Sequence, residues 1–181
     1  MGKLLIGWAE ESLVPDKKIS LAGQFFERIS EYVESEITAT ALAVEADGEQ
    51  MIMVSVDLTA VPEFLLDAVR EKLKKLTNEF DVKKLIVCAT HTHNSHSLAC
   101  GAQEDVAELG IAKKVLNEFL PEGKRYESIV TVSDNVMTAE EATEFVSEKI
   151  ALAAKKAWDN RCEAYYANEF GRAAVGMCRR V

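Results

Sequence analysis

The stretch "ITATALAVEADGEQMIMVSVDL", residues 37–58, constrains the fold more than any other part of the chain. It consists of two β-rich runs about Asp47-Gly48, a dipeptide suited to the two-residue hairpin turn because both positions tolerate positive φ. In the first run Thr38, Thr40, Leu42 and Val44 alternate with Ala39, Ala41 and Ala43, so the two sets face opposite sides of a sheet. The second run, "MIMVSVDL", is nearly continuous apolar, which predicts a central strand covered on both faces. Asp47 and Glu49 are therefore turn residues before they are acids of any site.

A helix and another strand follow. "PEFLLDAVREKLKKLTNEF" opens on Pro62 and carries Leu65, Val69, Leu73, Leu76 and Phe80 on one stripe. "KKLIVCATHTH" is the next strand, buried through "LIVCA". The order strand, helix, strand makes a βαβ unit and predicts that its two strands are parallel in one sheet.

The remaining elements are placed around this unit. "KLLIGWAEE" reads as a first strand. "SLAGQFFERISEYVES" stays open: Phe26, Ile29 and Val33 fit helical spacing, but Gly23 opposes it. After the histidines come a helix in "EDVAELGIAKKVLNEFL", a turn at "PEGK" and a strand at "SIVTVS". A further helix starts at the capping box Thr138 to Glu141 and runs to about Trp158. Two strand-like pieces close the chain: "CEAYYANEF", with Tyr165 and Tyr166 on opposite faces, and "AAVGMCRRV". The expectation is a single α/β domain over residues 1–181, a mixed sheet of about five to seven strands with flanking helices. The ending at "GMCRRV", straight out of a strand, reads as a cut that leaves the sheet incomplete at its carboxyl end.

Composition excludes several function classes. A formal charge of -9, with basic residues only in scattered pairs, argues against a nucleic-acid partner. No apolar run approaches the roughly 20 residues of a transmembrane helix, and "MGKLLIGWAEES" does not make a secretory signal. Cytoplasmic residence is expected. The four cysteines include no CxxC pair, so reduced thiols are expected, with Cys88 a small core residue.

All three histidines, His91, His93 and His96, fall within "CATHTHNSHS". The segment leaves the carboxyl end of a central strand, the edge where open α/β sheets bind ligands, and Asp57 ends the neighbouring strand in the same way. In an extended segment residues i and i+2 share a face, so His91 and His93 can look into one pocket while Thr90 and Thr92 face away. Asn94-Ser95 reads as a turn that leaves His96 on a loop. Asp57 is placed to accept the second ring N–H of a ligating histidine. Two histidines do not define a zinc site, which normally takes three protein ligands and a water. "HExxH" and "GxSxG" are absent. A surface loop and half of a metal site both remain open at this point.

"LIVCATHTHNSHS" resembles the Thr-His-Thr-His segment of the neutral/alkaline, non-lysosomal ceramidases. The opening, from "IGWAEE" through the "LAG" turn to "VSVDLTAV", is similar to the amino-terminal pattern of that family, and the stretch from "FVSEKIALAAKKAW" to "GMCRRV" resembles the approach to its Asn-Arg element. The resemblance implies that His91 ligates zinc, that His93 lies beside the reacting carbon and oxyanion, and that Arg179 helps form the substrate pocket. Arg28 matches an arginine often seen in the family, a surface ion pair being the equal reading. Departures are visible: "HNSHS" replaces His-Ser-Gly-Pro, Cys178 replaces Asn, and the remaining zinc ligands and nucleophilic serine of the family have no counterpart here.

The resemblance implies the amino-terminal part of a zinc-dependent amide hydrolase acting on a small-molecule amide or lipid-like substrate, inactive as the isolated chain. Zinc is expected only with ligands from elsewhere. A non-catalytic binding or scaffold domain, and a metal site completed by homo-oligomerisation, are the alternatives.

Overall fold

The structure, a computed structural model, describes residues 3–23, 28–98, 115, 118, 119, 121, 122 and 135–173. Its centre is a five-stranded mixed sheet built from β1 (Leu4–Ser12), β3 (Thr38–Ala46), β4 (Glu49–Val56), β5 (Leu85–Ala89) and β7 (Cys162–Glu163), in the order β5-β4-β3-β1-β7. Two short strands, β2 (Lys18–Ile19) and β6 (Val136–Met137), pair in parallel beside it. Among the described residues the helices with defined bounds are α1 (Glu63–Leu76) and α2 (Ala139–Asp159), with a 3₁₀ turn at Val82–Lys84.

The hairpin forms as its sequence requires. Asp47 and Gly48 take φ of 51° and 83°, and Ala46 pairs with Glu49. The alternation in β3 sends Ala39, Ala41 and Ala43 inward, where all three are fully buried. These small side chains meet small ones on α2, including Ala151, Ala154 and Ala157, so that helix lies close against β1, β3 and β4. Contact is tightest at Gly7, where a Cβ would stand 2.2 Å from the Ala157 carbonyl oxygen.

Ile52, Val54 and Val56 of β4 complete the core with Leu65, Val69 and Leu73 of α1. Full burial of such side chains contributes about 1.5–3 kcal/mol each. The α1 stripe ends one turn early: Leu76 is 45% exposed, whereas Phe80, beyond the helix, returns to the core and meets the Trp158 ring at 5.1 Å. The capping box of α2 is formed, with Glu141 N–H donating to Thr138 Oγ1 at 3.1 Å and Thr138 N–H to Glu141 Oε2 at 2.9 Å.

β4 and β5 are parallel, with Val56 opposite Ala89, so the βαβ unit is present. Neither strand is covered on both faces among the described residues, contrary to the reading from their apolar runs. Both helices pack on one side. The other side carries Trp8, Leu42, Met53 and Ile86 in one register row across four strands, and Cys88 is exposed on β5 rather than core. Helix is likewise absent from the described residues of the "SLAGQFFERISEYVES" segment, where Leu21 bridges to His96 and Ser20 to Ile29. The closing strand is only two residues long, and Tyr165 and Tyr166 beyond it are exposed in irregular backbone. Of the helix expected in "EDVAELGIAKKVLNEFL" the described residues Val115, Glu118 and Phe119 are helical, while the strand expected at "SIVTVS" and all of "AAVGMCRRV" but Ala173 lie outside the described residues.

Candidate functional site

Parallel pairing brings the carboxyl ends of β4 and β5 to one rim. Asp57 leaves β4 there and accepts from Thr90 Oγ1 at 2.9 Å through Oδ1 and from Thr38 N–H at 2.9 Å through Oδ2. One carboxylate thus joins the start of β3 to the end of β5. The strand stops at Ala89, and His91 turns away with φ of 62°. A left-handed backbone costs a non-glycine residue about 1–2 kcal/mol.

Hydrogen bonds with Thr59, from the end of the neighbouring strand, hold that turn. His91 Nδ1 lies 2.7 Å from the Thr59 carbonyl oxygen, and Thr59 Oγ1 donates to the Thr92 carbonyl at 2.9 Å. A carbonyl only accepts, so Nδ1 carries the hydrogen and His91 Nε2 presents a lone pair. The partner that orients His91 is therefore Thr59, two residues past Asp57, while Asp57 acts on the segment through Thr90.

His93 meets this lone pair. Its Nε2 stands 3.3 Å from His91 Nε2, with the rings edge to face at 75°. Strand alternation does not produce the meeting; the left-handed turn at His91 does. The contact is a long N–H···N hydrogen bond in which His93 Nε2–H donates, so His91 Nε2 is the nitrogen of the pair whose lone pair could take a metal instead. Beyond these two, the described residues contain no group of three or more His, Cys, Asp or Glu side chains close enough to hold a metal. His91 fits one ligand position of a zinc site, and the described residues do not complete it.

The "LAG" segment closes the site from outside. Gly23, at φ of +91°, lies so near His93 that a Cβ would stand 2.5 Å from its Cγ. Arg28 donates to the His93 carbonyl oxygen and, through Nη1, to Asn94 Oδ1 at 3.0 Å. Among the described residues its partners are in this loop and at Ala22, and no ion pair is formed. Composition gave no signal for Thr59; for Gly23, the glycine inside an otherwise helical pattern was the available clue.

His96 is not on an exposed loop. It is 2% exposed, bridges to Leu21, and donates from Nε2 to the Leu13 carbonyl at 2.7 Å. Burial pulls its pKa below the usual imidazole value, against a smaller opposing effect of the Leu13 hydrogen bond. Its role is structural: it ties the histidine loop to the end of β1.

A cleft of ≈ 420 Å³ opens beside Thr92 and Asn94, walled by the apolar Val14, Ile19, Leu21 and Ile37 and by the polar Lys17, Glu31 and Glu34. It adjoins the histidine pair without including either ring. Arg179 lies outside the described residues, so its relation to the pair is not described.

Taken together, fold and site define an α/β chain with paired imidazoles at the carboxyl rim of parallel strands. Two solved structures share this fold: the neutral ceramidase from Pseudomonas aeruginosa, and a ceramidase complexed with C2. Each is 15% identical with a TM-score of 0.62, over 90% of this chain and 22% of its own. At that identity the likeness is one of fold, and the chain spans about a fifth of those proteins' length. No family model matches the chain, and no curated protein matches it by sequence. Among the described residues no helix is long and apolar enough to cross a membrane.

Proposed function

We propose that this chain supplies the histidine corner of a zinc-dependent, ceramidase-like amide hydrolase, as its amino-terminal part. The observation that carries the reading is the His91 ring, anchored through Nδ1–H on the Thr59 carbonyl with its Nε2 lone pair turned toward His93. A zinc ion held there would polarise the amide carbonyl of the substrate. His91 Nε2 is the ligand this chain offers. His93 Nε2–H is set to donate to the oxyanion that develops when the carbonyl is attacked. Arg179 orients polar groups of the substrate. The substrate is a small-molecule amide or lipid-like amide, and the cleft beside Thr92, with both apolar and polar walls, is a place where part of it could lie. The proposed setting is cytoplasmic, where cysteines stay reduced.

Because the resemblance places the other zinc ligands and the nucleophilic serine outside this chain, the 181 residues by themselves are expected to bind zinc weakly and to be inactive. The test compares zinc content and N-acyl amide hydrolysis in the protein expressed from its complete natural reading frame, in its His91→Ala and His93→Ala variants, and in the 181-residue chain. Stoichiometric zinc lost in His91→Ala, with kcat about 10²–10³-fold lower in His93→Ala, is the expected result. Zinc retained by His91→Ala overturns the ligand assignment. Absence of zinc and turnover throughout turns the reading to a non-catalytic binding or scaffold domain. Tight zinc binding only by a multimer of this chain assigns the site to a homo-oligomer.

A further inference from the structure

We infer that Gly23 and Arg28 are positioning residues that set the His93 ring against His91. Their catalytic meaning rests on the hydrolase reading above, but the geometry does not. Three contacts fix His93. Its Nε2 meets His91 Nε2 at 3.3 Å, its Cβ, Cγ and Nδ1 lie against Gly23, and its carbonyl oxygen receives Arg28.

Gly23 acts by lacking a side chain. An added Cβ would stand 2.5 Å from His93 Cγ, 2.6 Å from Nδ1 and 2.9 Å from Cβ, at a φ of +91° that any other residue adopts under strain. The imidazole would have to move, and it has His91 on its other side. Arg28 acts by spanning: one guanidinium reaches the His93 carbonyl, Asn94 Oδ1 at 3.0 Å and the Ala22 carbonyl at 3.5 Å. A planar fork can join the two segments in this way, whereas an ammonium offers a single point.

Neither residue is what docks the two segments. That is done by backbone pairing, Ala22 N–H to the Ser95 carbonyl at 2.9 Å and Ser97 N–H to the Ser20 carbonyl at 2.9 Å, and by the bridge between Leu21 and His96. His96 therefore reports whether the loop is seated, independently of how His93 is aimed.

Long-range ¹H–¹⁵N spectra of the metal-free full chain resolve the three imidazoles, assigned by single His→Gln variants. The native chain is expected to show His91 as the Nδ1–H form and His93 as the Nε2–H form. In Gly23→Ala the fixed form of His93 should be lost and the His91 signals should shift, with His96 unchanged. Arg28→Gln should do the same to a smaller degree, and Arg28→Lys should recover part of the native pattern. Should Gly23→Ala fail to fold, the two Arg28 variants decide. Native His91 and His93 signals in folded Gly23→Ala and Arg28→Gln would overturn the inference. So would loss of the His96 signals together with the others in both variants, because the segment would then be a plain support. No metal or turnover enters this measurement, so its failure is distinct from failure of the hydrolase reading.

Discussion

His96 should make this protein acid-sensitive in a way that one substitution removes. The folded chain uses its Nε2–H on the Leu13 carbonyl and leaves Nδ1 buried with no hydrogen-bond partner. A second proton on Nδ1 would place a charge where no acceptor waits, which is why the pKa lies below the ordinary value. The unfolded chain takes that proton at about pH 6.5. Above that pH neither state is protonated at His96, and its full contribution to stability is present. As the pH falls below about 6.5 the unfolded state binds a proton that the folded state refuses, and stability drops by up to about 1.4 kcal/mol per pH unit. The loss continues until the pH passes through the lower pKa of the folded state, where it levels off. Urea unfolding of the native chain and of His96→Gln at pH 7.5, 6.5 and 5.5 measures the effect. Gln has an amide that can still donate to Leu13 and nothing that titrates. Every other ionisable group is common to the two proteins, so the difference in their pH slopes isolates His96. Parallel slopes between pH 6.5 and 5.5 would refute the reasoning.

Two further substitutions test the frame around the site. Gly7→Ala should destabilise the chain by about 3 kcal/mol, the upper part of the range for overpacking, because the added methyl meets backbone atoms of Ala157 and Arg161 that cannot rotate aside; an unchanged urea midpoint would contradict the close approach of α2 to β1. Asp57→Ala should cost about 2–3 kcal/mol by leaving Thr38 N–H and the Thr90 hydroxyl without their charged acceptor, and Asp57→Asn should cost less because one oxygen still accepts. Equal midpoints for the two Asp57 variants would show that the carboxylate charge and its second oxygen do not matter.

What could be read from the sequence was what depends on neighbours along the chain. Asp47-Gly48 sets its own turn, Thr138 and Glu141 cap each other across three residues, and Leu65, Val69 and Leu73 share a helix face whatever lies beyond. The meeting of His91 and His93 was legible as a pair but not as a geometry, because it depends on a left-handed turn stabilised by a distant Thr59 carbonyl. His96 looked like a loop residue because its burial comes from Leu13 and Leu21, far away in sequence. "MIMVSV" and "LIVCA" looked covered on both sides because an apolar run says what could be buried, not what layer is present to bury it. Met53 and Ile86 are 41% and 44% exposed among the described residues.

The row of side chains on the face of the sheet away from α1 and α2 has an optical consequence. The chain has two tryptophans, and they sit on opposite sides of the sheet. Trp158 is 2% exposed, under the Arg161 guanidinium at 3.1 Å from its ring centre, while Trp8 is 60% exposed at the end of the row. Their emission therefore divides by environment: a blue component that survives iodide and vanishes on unfolding, and a red component that iodide quenches in the native state. Anything that comes to lie on that row will shift the red component and leave the blue one alone, so the native fluorescence spectrum monitors the outer face separately from the core.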